Sequence, residues 1–158
     1  MSAVIFISFV ALVAQPKIIS HSTREQQSNE QIINEKVIDD RAQRIDEYYS
    51  KRNMQLAGYG EKLVAEADEH GIDWRLVAAI SVKESSGGIH MCENNPFGWG
   101  SCKIEFENLN KSIETVSKAL GEGKPYIGKT TQEKLKVYNP PSIEPLYSNR
   151  VMAIMEKI

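Results

Sequence analysis

Cysteine is nearly missing from this chain of 158 residues, where Cys92 and Cys102 are the whole set. Two cysteines exclude a disulfide-rich scaffold. They also exclude a thiolate zinc cluster, because His90 is the only nearby extra ligand and the spacing fits no common metal motif. A surplus of one charge is missing too. The 19 Lys and Arg stand against 21 Asp and Glu, a formal net charge of −2. No basic run is dense enough for a nucleic-acid footprint, so no nucleic-acid partner is expected. No apolar run reaches the ~20 residues that a membrane-spanning helix needs. No internal repeat is visible.

What is present is the balance of a soluble globular protein: 41% apolar and 25% charged residues. The length suits one domain of ordinary size with an appendage. Ser2 to Ala14 is almost continuously apolar, the length of a signal-peptide hydrophobic region. No Lys or Arg precedes it, and Leu12 stands where a cleavage site near Ala14 prefers a small residue. Residues 1–15 are therefore read as a signal peptide or membrane anchor, with membrane contact through residues 2–14 and an exported, cell-envelope location. A buried N-terminal strand or helix is the plainer alternative. Export permits a Cys92–Cys102 disulfide, which would close a short loop and add roughly 2–3 kcal/mol in the chain-entropy view. Two unpaired thiols are the alternative.

Residues 16–58 read as a linker and a charged helix. Pro16 breaks the apolar run, and Lys17 to Asn29 is polar. From Glu30 to Asn53 a narrow stripe of Ile33, Val37, Ile45 and Tyr49 recurs at helical spacing. So few apolar positions predict a stalk, against a weak coiled coil or a helix packed on the domain.

Residues 59–158 read as a mainly helical domain. Tyr59 to His70 predicts a short helix with Leu63, Val64 and Ala67 inside, closed by Gly71 in the left-handed region. Asp73 is the expected N-cap of a helix starting at Trp74. On it Leu76, Ile80 and Glu84 follow in four-residue steps, so Glu84 continues the apolar face before Ser85-Ser86-Gly87-Gly88 ends the helix. Ile89 to Phe106 is irregular. Periodicity returns at Leu109, Ile113, Val116 and Leu120, closed by Gly121. Thr130 and Glu133 form a capping-box pattern before a helix to about Val137, which Asn139-Pro140-Pro141 stops. A last helix carries Tyr147, Val151, Ile154, Met155 and Ile158.

An acid on an apolar face beside a glycine-rich opening is what glycoside cleavage uses. The reaction needs a carboxylic acid still protonated near neutral pH. Burial and the negative end of a helix both favour that form. Alone, a Glu near a helix end is usually just solvated. Its surroundings are more specific. Asp73 to Ser85 resembles the helix-Glu-Ser pattern of soluble lytic transglycosylases. Asn94-Asn95-Pro96-Phe97-Gly98-Trp99-Gly100 resembles the Asn-Asn-x-Phe-Gly segment of bacterial endo-β-N-acetylglucosaminidases. Tyr138-Asn139 resembles the transglycosylase Tyr-Asn pair, and Tyr147 with Val151 resembles the late tyrosine helix of both families. The resemblance spans about Tyr59 to Ile158. It departs from the transglycosylase pattern where Phe97-Gly98-Trp99-Gly100 replaces Gly-Leu-Met-Gln.

Both families are lysozyme-like. The resemblance thus implies a two-lobed helical domain with a small irregular lobe and a glycan cleft, whose partner is bacterial cell-wall glycan. It implies Glu84 as the catalytic acid and Tyr138 as a catalytic hydroxyl bonded to Glu84 or to the sugar. Ser85, Asn95, Phe97, Gly98, Trp99 and Tyr147 are the implied substrate-side residues. Most have a plainer reading: a helix-end serine, a turn asparagine, core aromatics, buried structural tyrosines; Tyr147 has the same readings open to it as Tyr138, a bond to Glu84 included. A second carboxylate is not evident, and Glu105 is the nearest candidate. If none serves, the substrate's own N-acetyl oxygen or 6-hydroxyl would complete the displacement. No metal and no cofactor is expected.

Overall fold

A computed structural model of the chain describes residues 38–158. The expected signal or anchor (residues 1–15), the linker and the first part of the charged helix lie outside the described residues. Asp39–Ile158 forms one compact unit. Among the described residues there are six α-helices and no strand: α1 Arg41–Ser50, α2 Gly60–Glu69, α3 Leu76–Ser85, α4 Leu109–Glu122, α5 Thr131–Tyr138 and α6 Tyr147–Met155. None is long and apolar enough to cross a membrane.

α3 is the axis of the fold. Every residue from Leu76 to Ser81 is buried, so this helix is enclosed on all sides rather than packed by one stripe. α6 packs along it, α1 packs on α2, α2 on α4 and α5 on α6. The inner face of α6 is the i, i+4, i+8 series Tyr147, Val151 and Met155, all buried. Asp73 is not the N-cap of α3, which is Arg75; its Oδ1 accepts from Arg75 N at 3.0 Å in the turn that precedes the helix. The helix itself begins two residues later than expected, at Leu76. The Thr130–Glu133 capping box is complete, with Thr130 N donating to Glu133 Oε2 at 2.8 Å and Glu133 N to Thr130 Oγ1 at 3.3 Å.

Two expectations are corrected. Residues 41–50 are not a stalk. Ile45 and Tyr49 are fully buried, and the Tyr49 hydroxyl lies 2.9 Å from Ser81 Oγ on α3. Asp46 of α1 also caps α2, its Oδ1 accepting from Gly58 N at 2.8 Å and Gly60 N at 2.9 Å. The stripe is narrow because α1 is short and lies against two helices, with its remaining sides charged and solvated. The compact domain therefore starts near residue 39 rather than 59. Gly121, expected to close α4, lies inside it. A Cβ at Gly121 would stand 2.3 Å from the His70 carbonyl oxygen, so the glycine serves the close approach of α4 to the end of α2.

Because Ile45 is core rather than stalk, Ile45→Ala is expected to lower unfolding free energy by about 2–5 kcal/mol. Chemical denaturation measures this directly. A stalk residue would change stability by no more than ~0.5 kcal/mol.

Candidate active site

Glu84 stands at the C-terminal end of α3, where the enclosed helix reaches solvent. The continuation of the apolar face ends there: Leu76 and Ile80 are buried, whereas Glu84 is exposed to the adjoining cleft. The helix is stopped by three left-handed residues in a row, Ser86 (φ 55°), Gly87 (φ 63°) and Gly88 (φ 96°). The two glycines take this conformation without the steric cost of a Cβ, and they also leave room for Met54 and Leu56, which pack against them. Leu56 N donates to the Gly87 carbonyl at 3.1 Å and pins the turn.

Tyr147, the first residue of α6, positions the acid. Its hydroxyl donates to Glu84 Oε1 at 2.6 Å. The other oxygen, Oε2, faces Gly98, where a Cβ would stand 3.0 Å from it. One carboxylate oxygen is thus engaged by the scaffold and the other is presented along the cleft wall. Burial raises the Tyr147 pKa far above the ordinary tyrosine range, and the hydrogen bond to Glu84 adds to the shift. The phenol therefore stays a donor at any physiological pH. Tyr138 is shifted the same way, by burial first and then by the Glu84 charge. Lys83 supports this corner. It pairs with Glu144 at 3.1 Å and lies 5.2 Å over the Tyr147 ring. The Lys83 hydrogen bond holds Glu144 below the usual carboxylate range.

The cleft in front of Glu84 has a volume of about 570 Å³. One wall is Gly98, Trp99, Gly100 and Ser101 from the irregular segment. The other is Tyr126, Tyr138, Asn139 and Ile143. The aromatic rings form a row: Trp99 lies 6.5 Å from Tyr126 and 5.6 Å from Tyr138, which stacks on Tyr147 at 6.0 Å and 10°. Such faces suit the apolar sides of a carbohydrate, and hydroxyls and the Asn139 amide add polar contacts. A second depression of about 510 Å³, along α1 and Glu61, has no aromatic lining. Its Asp46 is already used to cap α2.

The implied site residues divide into two groups. Glu84, Gly98, Trp99 and Tyr138 line the cleft, with Tyr147 directly behind Glu84. Ser85, Asn95 and Phe97 lie behind the wall instead of facing a sugar. The Ser85 hydroxyl donates to the Pro96 carbonyl at 2.7 Å and accepts from Gly88 N at 2.9 Å. Asn95 is buried and closes its loop, Oδ1 accepting from Trp99 N at 2.9 Å and Nδ2 donating to the Trp99 and Ile104 carbonyls at 2.9 and 3.0 Å. Phe97 is wholly buried in the core. All three shape the segment because an irregular chain must satisfy its own buried backbone groups. Tyr138 does not bond Glu84 as expected. Its hydroxyl donates to the Phe97 carbonyl and ties α5 to the same segment, leaving Glu84 to Tyr147.

Cys92 and Cys102 are joined by a disulfide that brackets this wall. Glu105 is exposed and does not line the cleft, whose only carboxylate among the described residues is Glu84. Tyr126, Asn139 and Ile143 are additions to the implied set. Tyr126 follows Gly123-Lys124-Pro125, and an aromatic in a glycine- and proline-bearing loop is the signal that marks it. The chain matches no protein-family model, no curated protein and no solved structure.

Burial raises Tyr49, Tyr126, Tyr138 and Tyr147 above the ordinary value of 10.0. In the unfolded chain these phenols ionise near that value, while in the folded protein they keep their protons to higher pH. Their contribution to stability is therefore full below pH 10 and declines as pH rises above it. Urea midpoints are expected to hold between pH 8 and 9.5 and to fall steadily above 10. Phenolate absorbance of the native protein at pH 10.5 should stay well below that of the denatured chain. Equal absorbance with the fold intact would contradict the buried tyrosine row.

Proposed function

We propose that this domain cleaves β-1,4 glycosidic bonds of bacterial cell-wall glycan, with Glu84 as the acid, on a lysozyme-like helical scaffold. The observation that carries the reading is a single carboxylate, oriented by a tyrosine, at the end of an aromatic-lined cleft. A glycan strand laid along Trp99, Tyr126 and Tyr138 brings a glycosidic oxygen toward Glu84 Oε2. Glu84 gives that oxygen its proton and the C1–O bond breaks. The sugar's own 6-hydroxyl then attacks C1 and returns its proton to Glu84. The product carries a 1,6-anhydro end, no water is consumed, and the acid is regenerated. This lytic transglycosylase route is favoured because a two-carboxylate hydrolase needs a second acid about 5–9.5 Å from the first, and among the described residues none lines the cleft beside Glu84.

Hydrolysis of the endo-β-N-acetylglucosaminidase type is the second reading, favoured by the Asn94-Asn95-Pro96-Phe97-Gly98 segment. In it the same acid acts and water takes the place of the 6-hydroxyl. A non-catalytic glycan-binding module needs the aromatic row but neither the oriented acid nor a glycine that keeps Oε2 clear. Export to the envelope, with residues 1–15 as signal or anchor, is the location that this substrate requires. The reaction needs no cofactor.

Purified peptidoglycan incubated with the full-length chain is expected to release soluble fragments detectable by mass spectrometry. Glu84→Gln should release them at least 10²-fold more slowly, with its helical circular dichroism unchanged. Retention of both proteins on the glycan without fragments from either would establish the binding module instead.

Gly98→Ala tests the orientation of the acid. The new Cβ would sit in a left-handed backbone (φ 61°) and 3.0 Å from Glu84 Oε2. A stability loss of roughly 1–2 kcal/mol should accompany a fall in kcat larger than any rise in KM. Unchanged kcat would separate Oε2 from the chemistry.

A further inference from the structure

Away from the cleft, α2 and α4 bring four ionisable side chains together. Glu66 and Glu69 on α2 and His70, its C-cap, lie three and four positions apart and share one face. Glu122 reaches them from the last turn of α4. The His70 and Glu66 side chains are nearly covered, 5% and 7% exposed. His70 Nδ1 lies 2.7 Å from Glu122 Oε1. An ionised carboxylate only accepts, so this contact keeps a hydrogen on Nδ1. The opposite ring nitrogen, Nε2, faces Glu66 Oε2 at 3.4 Å. That oxygen is buried and has no hydrogen-bond partner. Lys62 serves only the other oxygen, Oε1, at 2.5 Å. With the ring neutral, two lone pairs face each other across the gap and repel. A cation between them turns the repulsion into coordination.

The spacing has the dimension of a metal site. Bonds of ~2.0–2.2 Å to nitrogen and oxygen in a tetrahedron separate neighbouring ligand atoms by about 3.3–3.6 Å. Glu69 adds a third donor, and the ligand atoms of Glu66, Glu69 and His70 all lie within 4.8 Å of one another. The Glu122 contact matches the second-shell arrangement in which a ligating histidine gives its other N–H to a carboxylate. Imidazole with carboxylates suits zinc better than magnesium or calcium, which prefer all-oxygen sets.

We propose that Glu66 Oε2, His70 Nε2 and Glu69 bind a divalent cation of the zinc class, with Glu122 holding the imidazole from behind. The ion would clip the C-terminal end of α2 to that of α4, a structural role. None of the four residues lines the cleft, so the site stands or falls apart from the glycan-cleaving function. The competing occupant of the gap is a proton, with His70 as an imidazolium between Glu66 and Glu122.

Calorimetric titration of the chelator-stripped full-length chain with zinc chloride at pH 7.5 separates the two. The expected result is one high-affinity zinc per chain, no response to magnesium, and a Kd weakened at least tenfold in both His70→Gln and Glu69→Gln. His90→Gln should leave the Kd unchanged. Saturating zinc should raise Tm by about 10 °C at a hundredfold excess over Kd. Circular dichroism checks each variant, and Glu69→Gln, at an exposed side chain, carries the test if His70→Gln does not fold. Absence of zinc binding, or equal affinity in the native chain and Glu69→Gln, would overturn the site and leave the proton between the two groups.

Discussion

The hydrogen bond from Tyr147 to Glu84 is the contact on which the rest of the site depends. It joins the last turn of α3 to the first residue of α6 at 2.6 Å, so the orientation of the acid is set by how these helices pack. A hydrogen bond between neutral groups contributes about 0.5–1.5 kcal/mol, enough to favour one rotamer of the acid. Burial keeps the phenol protonated, which makes the donor permanent. Tyr138 stacks on the Tyr147 ring and bonds the Phe97 carbonyl. The two tyrosines therefore lock the acid and the opposite cleft wall to a single aromatic stack.

The irregular segment serves the same constraint from the other side. Ser85 and Asn95 spend their polar groups on its backbone, Phe97 anchors it in the core, and the disulfide brackets it. Gly98 is left free of side chain where Glu84 Oε2 needs room, and Trp99 is left facing the cleft. Buried polar residues thus build the wall and half-exposed aromatics furnish it. Phe97 and Trp99, two positions apart, fall on opposite sides of this division although both are aromatic.

This division explains how far the sequence is legible. α2, α4, α5 and α6 follow from apolar spacing, because each buries one face, and the capping box marks the start of α5. The left-handed turn after Glu84 follows from its glycines. The boundary at α1 does not follow, since Ile45 and Tyr49 make a narrow stripe and only the positions of α2 and α3 reveal that both sides of it are covered. Which of Tyr138 and Tyr147 meets Glu84 is equally hidden: either hydroxyl has the reach, and helix packing decides. Gly121 reads as a helix stop because its true reason, the approach of His70, lies 51 positions away in the chain. The Glu66–Glu69–His70 face is periodic in the sequence but indistinguishable there from an ordinary solvated face. What sets it apart is the burial of Glu66 and the arrival of Glu122 from α4.

In this reading one oriented acid, without a second carboxylate, suffices for bond cleavage in the cleft. Digestion of purified glycan in water enriched in oxygen-18, followed by mass spectrometry of the fragments, decides it. The expected fragments carry no label and weigh one water less than their hydrolysed counterparts, because the sugar's own hydroxyl closes the ring. Labelled reducing ends would contradict it, because water and not the sugar's hydroxyl would then have attacked C1.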